Sequence, residues 1–421
     1  MSNVHEPVPV GALEEKSSKA DRWMARRLMD FIGWPPVRLV LWDGCSYARQ
    51  DADAVAAIIV RDRGALRKLV TNPEFAFGEM YSRGRIEVDG DLAECLVCVY
   101  RALRAAGHAG GLRRRLLRAL AKHPHNDEAK ARENIHHHYD IGNDFYRLWL
   151  DEQLVYTCAY FPVPDMTLEQ AQIAKMAYVC RKLRLEAGQR VVEAGCGWGA
   201  LALYMARNHG VTVKAYNISH QQIAFARQRA RREGLDDRVE FIEDDGRHIE
   251  GRFDVFVSVG MLEHIGVDGY AELAAVIDRV LSDEGRGLIH SIGRDSPGPL
   301  NSWIQRRIFP GAYPPSISEM MTLFEPNGFS VLDIENLRLH YASTLQHWLQ
   351  RYQANSDRVA VMFDDTFVRL WRLYLAGSVA AFSSGTLQLF QVVFNRSGNN
   401  DVPWTRDYLY SEPLPDQPPA S

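Results

Sequence analysis

The 421-residue chain has no apolar run approaching the roughly 18–20 residues needed to cross a bilayer, and its start lacks the basic-then-apolar layout of a signal peptide. These absences set aside a multi-span membrane protein and make the cytoplasm the expected location. Cysteine is scarce. Six are scattered along the chain, which reads as reduced thiols and not as a disulfide framework. Cys95 and Cys98 form a lone C-x-x-C with no second pair at zinc-like spacing, so core thiols on a helix are the simpler reading. His136-His137-His138 lack Cys or carboxylate partners at ligand spacing, and no metal is expected there. A large charge excess is missing too: the net charge of -4 and pI near 6.4 argue against a nucleic-acid binder. What is present is a globular composition, 46% hydrophobic and 24% charged, with length for two or three domains at about 150 residues each.

Arginine outnumbers lysine and is clustered. Arg113, Arg114, Arg115, Arg118, Lys122 and His123 form one basic block, and Arg227, Arg229, Arg231 and Arg232 another. Either could grip lipid phosphate or simply be a solvated helix face. Residues 1–21 are polar, carry Pro7 and Pro9, and are expected to be disordered. Residues 22–112 form a first domain, 113–133 a charged linker, and 401–421, rich in proline (Pro413, Pro415, Pro418 and Pro419), a loose tail. Within the first domain, 38–42 and 54–60 read as strands and 66–70 and 92–103 as helices. Residues 77–81 read as a helix turning through Gly84 into a short strand.

From about Gly188 the pattern becomes alternating strand and helix. Short apolar strands fall at 190–194, 211–216, 239–242, 253–259 and 287–292, with helices at 201–208, 221–233 and 269–281. Repeated βα units imply a parallel sheet covered on both faces, with ligands at the carboxyl ends of its strands. The sharpest local signal is Glu193-Ala194-Gly195-Cys196-Gly197-Trp198-Gly199, between a strand and a helix. Glycines there let backbone approach a ligand, and the helix start points its amides at it. The spacing is G-x-G-x-G, and the second strand ends in Tyr216-Asn217-Ile218-Ser219 with no acid for a ribose, which counts against a nicotinamide enzyme. No Lys-Ser/Thr pair follows to make a phosphate loop. An acid, Glu193, ahead of the glycines suits a cationic ligand, as in S-adenosylmethionine-dependent methyltransferases.

Four further segments narrow the reading: Asn134 to Tyr146 (N-I-H-H-H-Y-D-I-G-N-D-F-Y), Tyr156-Thr157-Cys158-Ala159-Tyr160-Phe161, Ser258 to Gly266 (S-V-G-M-L-E-H-I-G) and Ile289-His290-Ser291-Ile292-Gly293. With the glycine loop among them, the chain closely resembles the cyclopropane-fatty-acyl-phospholipid synthases over residues 130 to 395. The resemblance implies an α/β protein: a Rossmann-like class I methyltransferase domain at 134–400, with a mostly parallel doubly wound sheet, and a smaller N-terminal α+β domain associated with lipid. It also implies a methylene bridge placed across the cis double bond of an unsaturated phospholipid acyl chain. S-adenosylmethionine is the donor, and bound bicarbonate is the base that lets the ring close.

An alkene is a weak nucleophile, and its attack on a sulfonium methyl leaves positive charge on the acyl chain. The site must therefore be dry and offer aromatic faces, where cation–π attraction is worth roughly 1–2 kcal/mol. Tyr139, Tyr146, Tyr156, Tyr160, Phe161 and Tyr341 are the candidates, each equally readable as an ordinary core aromatic. The family's bicarbonate cage falls here on Cys158, Glu263, His290, the backbone of Ile292, and Tyr341. For the donor, the resemblance implies Tyr156 and Thr157 over the methionine part and Gly195 and Gly197 beneath it, with Glu193 just ahead. Asn217 and Gln222 then lie near the ribose and Asp245 near the adenine. Asn217 stands where relatives often carry Thr, and Gly246 where an aromatic often covers the base. Ser378 replaces a reactive Cys of some members and is assigned no role. Two other activities share part of this pattern: methyl- or methylene-branched acyl chain formation by the same first step, and small-amine N-methyl transfer. Expected partners are the inner membrane face, touched peripherally through an Arg block with Trp303, Ile304, Ile308 and Phe309, and a second copy in a homodimer. Nucleic acid is not expected.

Overall fold

The protein is described here by a computed structural model covering residues 16–108 and 141–410. The basic block at 113–123, the linker expected at 113–133, His136–His138 and Tyr139 lie outside the described residues, as do 1–15 and 411–421. The chain divides into two compact units, Met1–Ala106 and Gly107–Ser421, a boundary earlier than the one expected after residue 112.

The first unit opens with α1 (Lys19–Ile32). Residues 16–21 belong to it and are not the end of a disordered arm. Ser18 and Asp21 form a reciprocal cap, and Asp21 is buried against Arg63 at 3.0 Å. Ala25, Leu28 and Met29 face inward, leaving Arg22, Trp23, Arg26, Arg27 and Phe31 on the outer face. There follow β1 (Arg38–Val40), β2 (Ser46–Tyr47), β3 (Ala57–Val60), α2 (Arg63–Thr71), α3 (Pro73–Ser82), β4 (Ile86–Asp89) and α4 (Leu92–His108). The strands make a four-stranded sheet in the order β2-β1-β3-β4, with only β1 and β3 parallel. Cys95 is fully buried on α4 and Cys98 half-buried, as core thiols.

The second unit begins, among the described residues, with α5 (Asn143–Tyr146) and α6 (Leu168–Lys182). Next come β5 (Arg190–Ala194), α7 (Ala200–His209), β6 (Thr212–Asn217), α8 (His220–Glu233), β7 (Val239–Glu243) and β8 (Phe253–Val259). The chain continues through α9 (Leu262–Ile265), α10 (Tyr270–Val280), β9 (Leu281–Arg294), α11 (Ser302–Arg307), α12 (Ile317–Met321) and β10 (Phe329–Asn336). It closes with α13 (Arg338–Ala354), α14 (Ser356–Met362), α15 (Asp365–Ser383) and β11 (Leu387–Arg396). The seven strands lie in the order β10-β11-β9-β8-β5-β6-β7. The five expected strands are mutually parallel, whereas β11 runs antiparallel to both β9 and β10. Successive residues alternate between two cores, as a doubly covered sheet requires. Val191, Val255, Val257, Leu288 and Val393 pack beneath α6, α7 and α8, while Val192, Phe256, Ile289 and Val392 pack against α10.

Two expectations about surfaces need correction. Residues 401–410 are not loose: Arg184 pairs with Asp401, Arg406 with Asp333, Arg181 donates to the Leu409 carbonyl at 2.8 Å, and Leu409 is buried. These contacts come from residues remote in sequence, which a run of prolines does not reveal. Trp303 and Ile308 are buried too, and Arg229 is a buried partner of Glu233, so none of the three is available to a membrane. No helix among the described residues is long and apolar enough to cross a bilayer.

Candidate active site

The glycine loop sits at the carboxyl end of β5, an interior strand between β8 and β6. Gly195, Gly197 and Gly199 all have positive φ (83°, 53° and 82°), which side chains other than glycine's rarely tolerate. The loop is pinned from the next strand, since the Gly195 and Cys196 N–H groups both donate to the Tyr216 carbonyl at 2.9 and 3.0 Å. Space differs along it. A Cβ on Gly199 would lie 2.5 Å from the Phe241 ring, and one on Gly195 would lie 3.2 Å from Met261. One on Gly197 would meet nothing within 4 Å, so the middle of the loop opens onto free volume. That cradle fits the donor the motif implies.

Around the cradle, Asn217 donates to Gln222 Oε1 at 2.6 Å and to the Gly197 carbonyl at 3.4 Å, tying two proposed ribose contacts to the loop. Asp245 is engaged with its neighbour. Both carboxylate oxygens accept from Arg247, at 2.9 and 2.8 Å, and burial, which would raise its pKa, is outweighed by those bonds, holding it low. Gly246 has room for a methyl, a Cβ there lying 3.6 Å from Ala194 and from Met261 Sδ. Trp198 donates to Asn143 at 2.8 Å and packs edge-on against Tyr146 at 5.0 Å, which joins the Asn134–Tyr146 motif to the glycine loop.

A buried polar group lies behind the loop, and sequence reading missed it. Lys175, 2% exposed on the inner face of α6, donates to Thr157 Oγ1 at 3.1 Å. Burial lowers its pKa to about 8, opposed by the charges of Asp151 and Glu193. Glu193 is buried with Oε2 lacking a hydrogen-bond partner among the described residues, and burial pushes its pKa up to about 7. Asp151 is raised by burial to about 6 despite accepting two backbone N–H bonds. Gln172, one turn before Lys175, donates to the Thr157 carbonyl at 2.9 Å, so α6 holds Thr157 from two sides. The available signal was a glutamine and a lysine in a run of buried alanines.

Of the five candidate cage residues, the structure joins Glu263 and Ile292 directly. The Glu263 carboxylate accepts from Ser291 Oγ at 2.9 Å and from the Ile292 N–H at 3.4 Å, and burial raises its pKa to about 7. His290, two residues back on β9, is 2% exposed. Its Nε2 has no hydrogen-bond partner among the described residues, and burial followed by the Lys175 and Lys182 charges drives its pKa well down. A buried ring nitrogen without a partner, two residues along the strand from the N–H that Glu263 holds, is a polar setting that fits a small anion. Cys158 is buried, its thiol donating to the Ala159 carbonyl at 3.1 Å, and burial raises its pKa, so it stays a thiol. Thr344, one turn along α13 from Tyr341, accepts the Ala159 N–H at 3.0 Å and so links Tyr341's helix to the Cys158 segment.

The aromatic candidates divide. Tyr146 and Tyr156 share a cluster with Trp149, Trp348 and Trp371, and Tyr341 joins it through Trp348 at 5.9 Å. Tyr156 Oη meets Tyr374 Oη at 2.7 Å. Tyr160 and Phe161 belong to other stacks, on Tyr178 and His340 and on His347 respectively. The tryptophans of the cluster were not foreseen. They come from α6's upstream loop, α13 and α15, and nothing in their local sequence ties them together.

The strand order, with an antiparallel strand inserted beside β9 and the glycine loop after β5, is that of a class I methyltransferase. Residues 126–392 match the family model for mycolic acid cyclopropane synthetase. The chain belongs to that family. A second model, a domain of unknown function, matches residues 26–108. The chain is 36% identical over 389 residues to a probable fatty acid methyltransferase of Pseudomonas putida, covering 89% of this chain and 96% of that protein. It is 35% identical over 358 residues to the cyclopropane-fatty-acyl-phospholipid synthase of Escherichia coli K12, covering 84% and 91%. Among solved structures, the mycolic acid cyclopropane synthase CmaA1 complexed with SAH and CTAB aligns with a TM-score of 0.60 at 29% identity, over 63% of this chain and 98% of that one. The resemblance drawn from five motifs is thereby borne out, and the protein is an S-adenosylmethionine-dependent methyltransferase.

Proposed function

We propose that this enzyme adds a one-carbon unit from S-adenosylmethionine to the cis double bond of an unsaturated phospholipid acyl chain and closes it to a cyclopropane, with bicarbonate as the base. The observation that carries the reading is the polar set at the end of β9: the Glu263 carboxylate on the Ile292 N–H, with the unpartnered His290 Nε2 two residues away. An N-methyltransferase for a small amine has no use for such a set, because its substrate brings its own nucleophilic lone pair. When bound, S-adenosylmethionine supplies an electrophilic methyl. Gly195 and Gly197 would hold it, with Asn217 and Gln222 along the ribose and Thr157 braced by Lys175 above. Bicarbonate, when bound, supplies a base, held by His290, the Ile292 N–H, Glu263, Cys158 and Tyr341. The buried Tyr146 and Tyr341 and the half-buried Tyr156 exclude water and favour positive charge on the acyl chain.

The Pseudomonas putida relative is named only as a probable fatty acid methyltransferase, a description that a second reading also meets, a methylene-branched product without a ring. The two products are isomers and need a structural assay. Incubation of the enzyme with labelled donor and unsaturated phospholipid vesicles, followed by proton NMR of the released fatty acids, is expected to show the upfield methylene signal of a three-membered ring. An exocyclic alkene signal instead would select the second reading. Full activity of Cys158→Ala would point to amine methylation.

Peripheral membrane contact and a homodimeric working unit belong to the same proposal. The outer face of α1 supports the former: Trp23 and Phe31 are 59% and 58% exposed, eight residues apart, among Arg22, Arg26 and Arg27. Burying one such ring contributes on the order of 2 kcal/mol, and the arginines face anionic headgroups. Trp23→Ala/Phe31→Ala is therefore expected to lower partitioning onto anionic vesicles at least tenfold in co-sedimentation, with SAH affinity unchanged. Partitioning equal to that of the unsubstituted protein would remove α1 from the membrane contact.

A further inference from the structure

His290 and Gln391 are direct cross-strand partners on β9 and β11, and Gln391 Nε2 lies 3.0 Å from His290 Nδ1. The Gln391 amide is oriented from its other side, where Lys182 Nζ stands 2.8 Å from Oε1. An ammonium has only hydrogens to offer, so the amide oxygen must face Lys182 and the amide nitrogen must face the histidine. That nitrogen can only donate. Nδ1 is therefore the acceptor and carries no hydrogen, and in a neutral imidazole the one proton must then ride on Nε2. Lys182 is itself held, by the Glu335 carboxylate and over the Tyr178 ring at 4.7 Å. His290, Gln391 and Lys182 are all essentially sealed from solvent, so water cannot rearrange the chain. Burial and the two nearby lysines keep the ring neutral.

We propose that the Glu335–Lys182–Gln391 chain locks His290 in its Nε2–H tautomer, making the histidine a fixed neutral donor to a small oxyanion and not a proton acceptor. The identity of that oxyanion as bicarbonate rests on the function proposed above; the tautomer does not. Lys182 and Gln391 are positioning residues, acting on the site only through the ring. A neutral donor suits a greasy chamber, because it grips an anion without adding a second buried charge that must itself be solvated. It also removes His290 from contention as the base, since one nitrogen is engaged and the other already protonated.

The test is long-range proton–nitrogen NMR of the full chain labelled with 15N-histidine, the His290 signals being assigned by their absence in His290→Gln. Unsubstituted protein near neutral pH is expected to show a protonated Nε2 and an unprotonated Nδ1. In Gln391→Glu, a carboxylate facing Nδ1 demands a hydrogen there, and the proton is expected to move to Nδ1. Lys182→Met, which frees the amide to turn over, is expected to give a mixture of both forms. A protonated Nδ1 in the unsubstituted protein, or an unmoved proton in both variants, overturns the lock. In bicarbonate-depleted buffer, Gln391→Glu is further expected to raise the half-saturating bicarbonate concentration at least tenfold, with SAH affinity within threefold. If the NMR result is as expected and bicarbonate has no effect on turnover, the lock stands and the bicarbonate reading falls.

Discussion

Glu263→Gln is expected to reduce ring formation at least 100-fold while making the protein more stable at alkaline pH. The carboxyl is 5% exposed and burial raises its pKa from 4.5 to about 7. In the unfolded chain the group loses its proton near its ordinary value, whereas the folded chain keeps it until about pH 7. Folding is therefore least opposed by this group below pH 4.5, and stability falls as pH rises through the window up to 7. Above that the cost is constant, on the order of 3 kcal/mol. Glutamine carries no charge to desolvate, and its amide oxygen can still accept from Ser291 and Ile292. Urea denaturation at pH 5 and pH 8 should show the variant gaining on the parent only at the higher pH. SAH affinity should change less than threefold, because Glu263 does not line the glycine loop. Undiminished turnover, or a stability gain equal at both pH values, would contradict the assignment.

Lys175→Met should have the opposite effect on stability. Removing the ammonium leaves the buried Glu193 and Asp151 without the nearby positive charge that lowers their pKa values, a loss on the order of 1–3 kcal/mol. The loss should be greatest between pH 7 and 8, where the acids are largely charged and Lys175 still keeps most of its proton. It should shrink toward pH 5.5, where their raised pKa values, about 7 and about 6, let them take up protons. Adding Glu193→Gln to Lys175→Met should recover part of the loss, since the residues act as one unit. Donor affinity should fall in parallel as Thr157 loses its brace. Equal destabilisation at the two pH values, or strict additivity in the double variant, would show that Lys175 matters only as packing.

The strands from β5 to β9 and the loop at Gly195 were legible because their signals are local: short β-branched runs, and glycines where the chain must take positive φ. The candidate cage residues were found through motifs, and Glu263 and Ile292 do meet. Local signals failed where a segment owes its order to a remote partner. Residues 16–21 are polar, yet Asp21 is buried because Arg63 reaches it, and residues 401–410 lie against Arg181, Arg184 and Asp333 although they form no helix or strand of their own beyond one short turn. The strands β10 and β11 were not foreseen as an antiparallel addition, since direction is set by pairing and not by composition.

Amino-acid order alone established the family, the alternation of strand and helix, and the chemistry that a glycine loop, a buried acid and a histidine can share. Each of those is written in neighbouring residues, where backbone sterics and periodicity act. Only the tertiary structure decided which groups share a charge or a proton. Lys175 and Lys182 read as two more lysines on a helix until α6 turns both toward the sheet, and Gln391 meets His290 from 101 residues away. Desolvation and hydrogen-bond direction depend on what the fold brings near, and no local pattern encodes them.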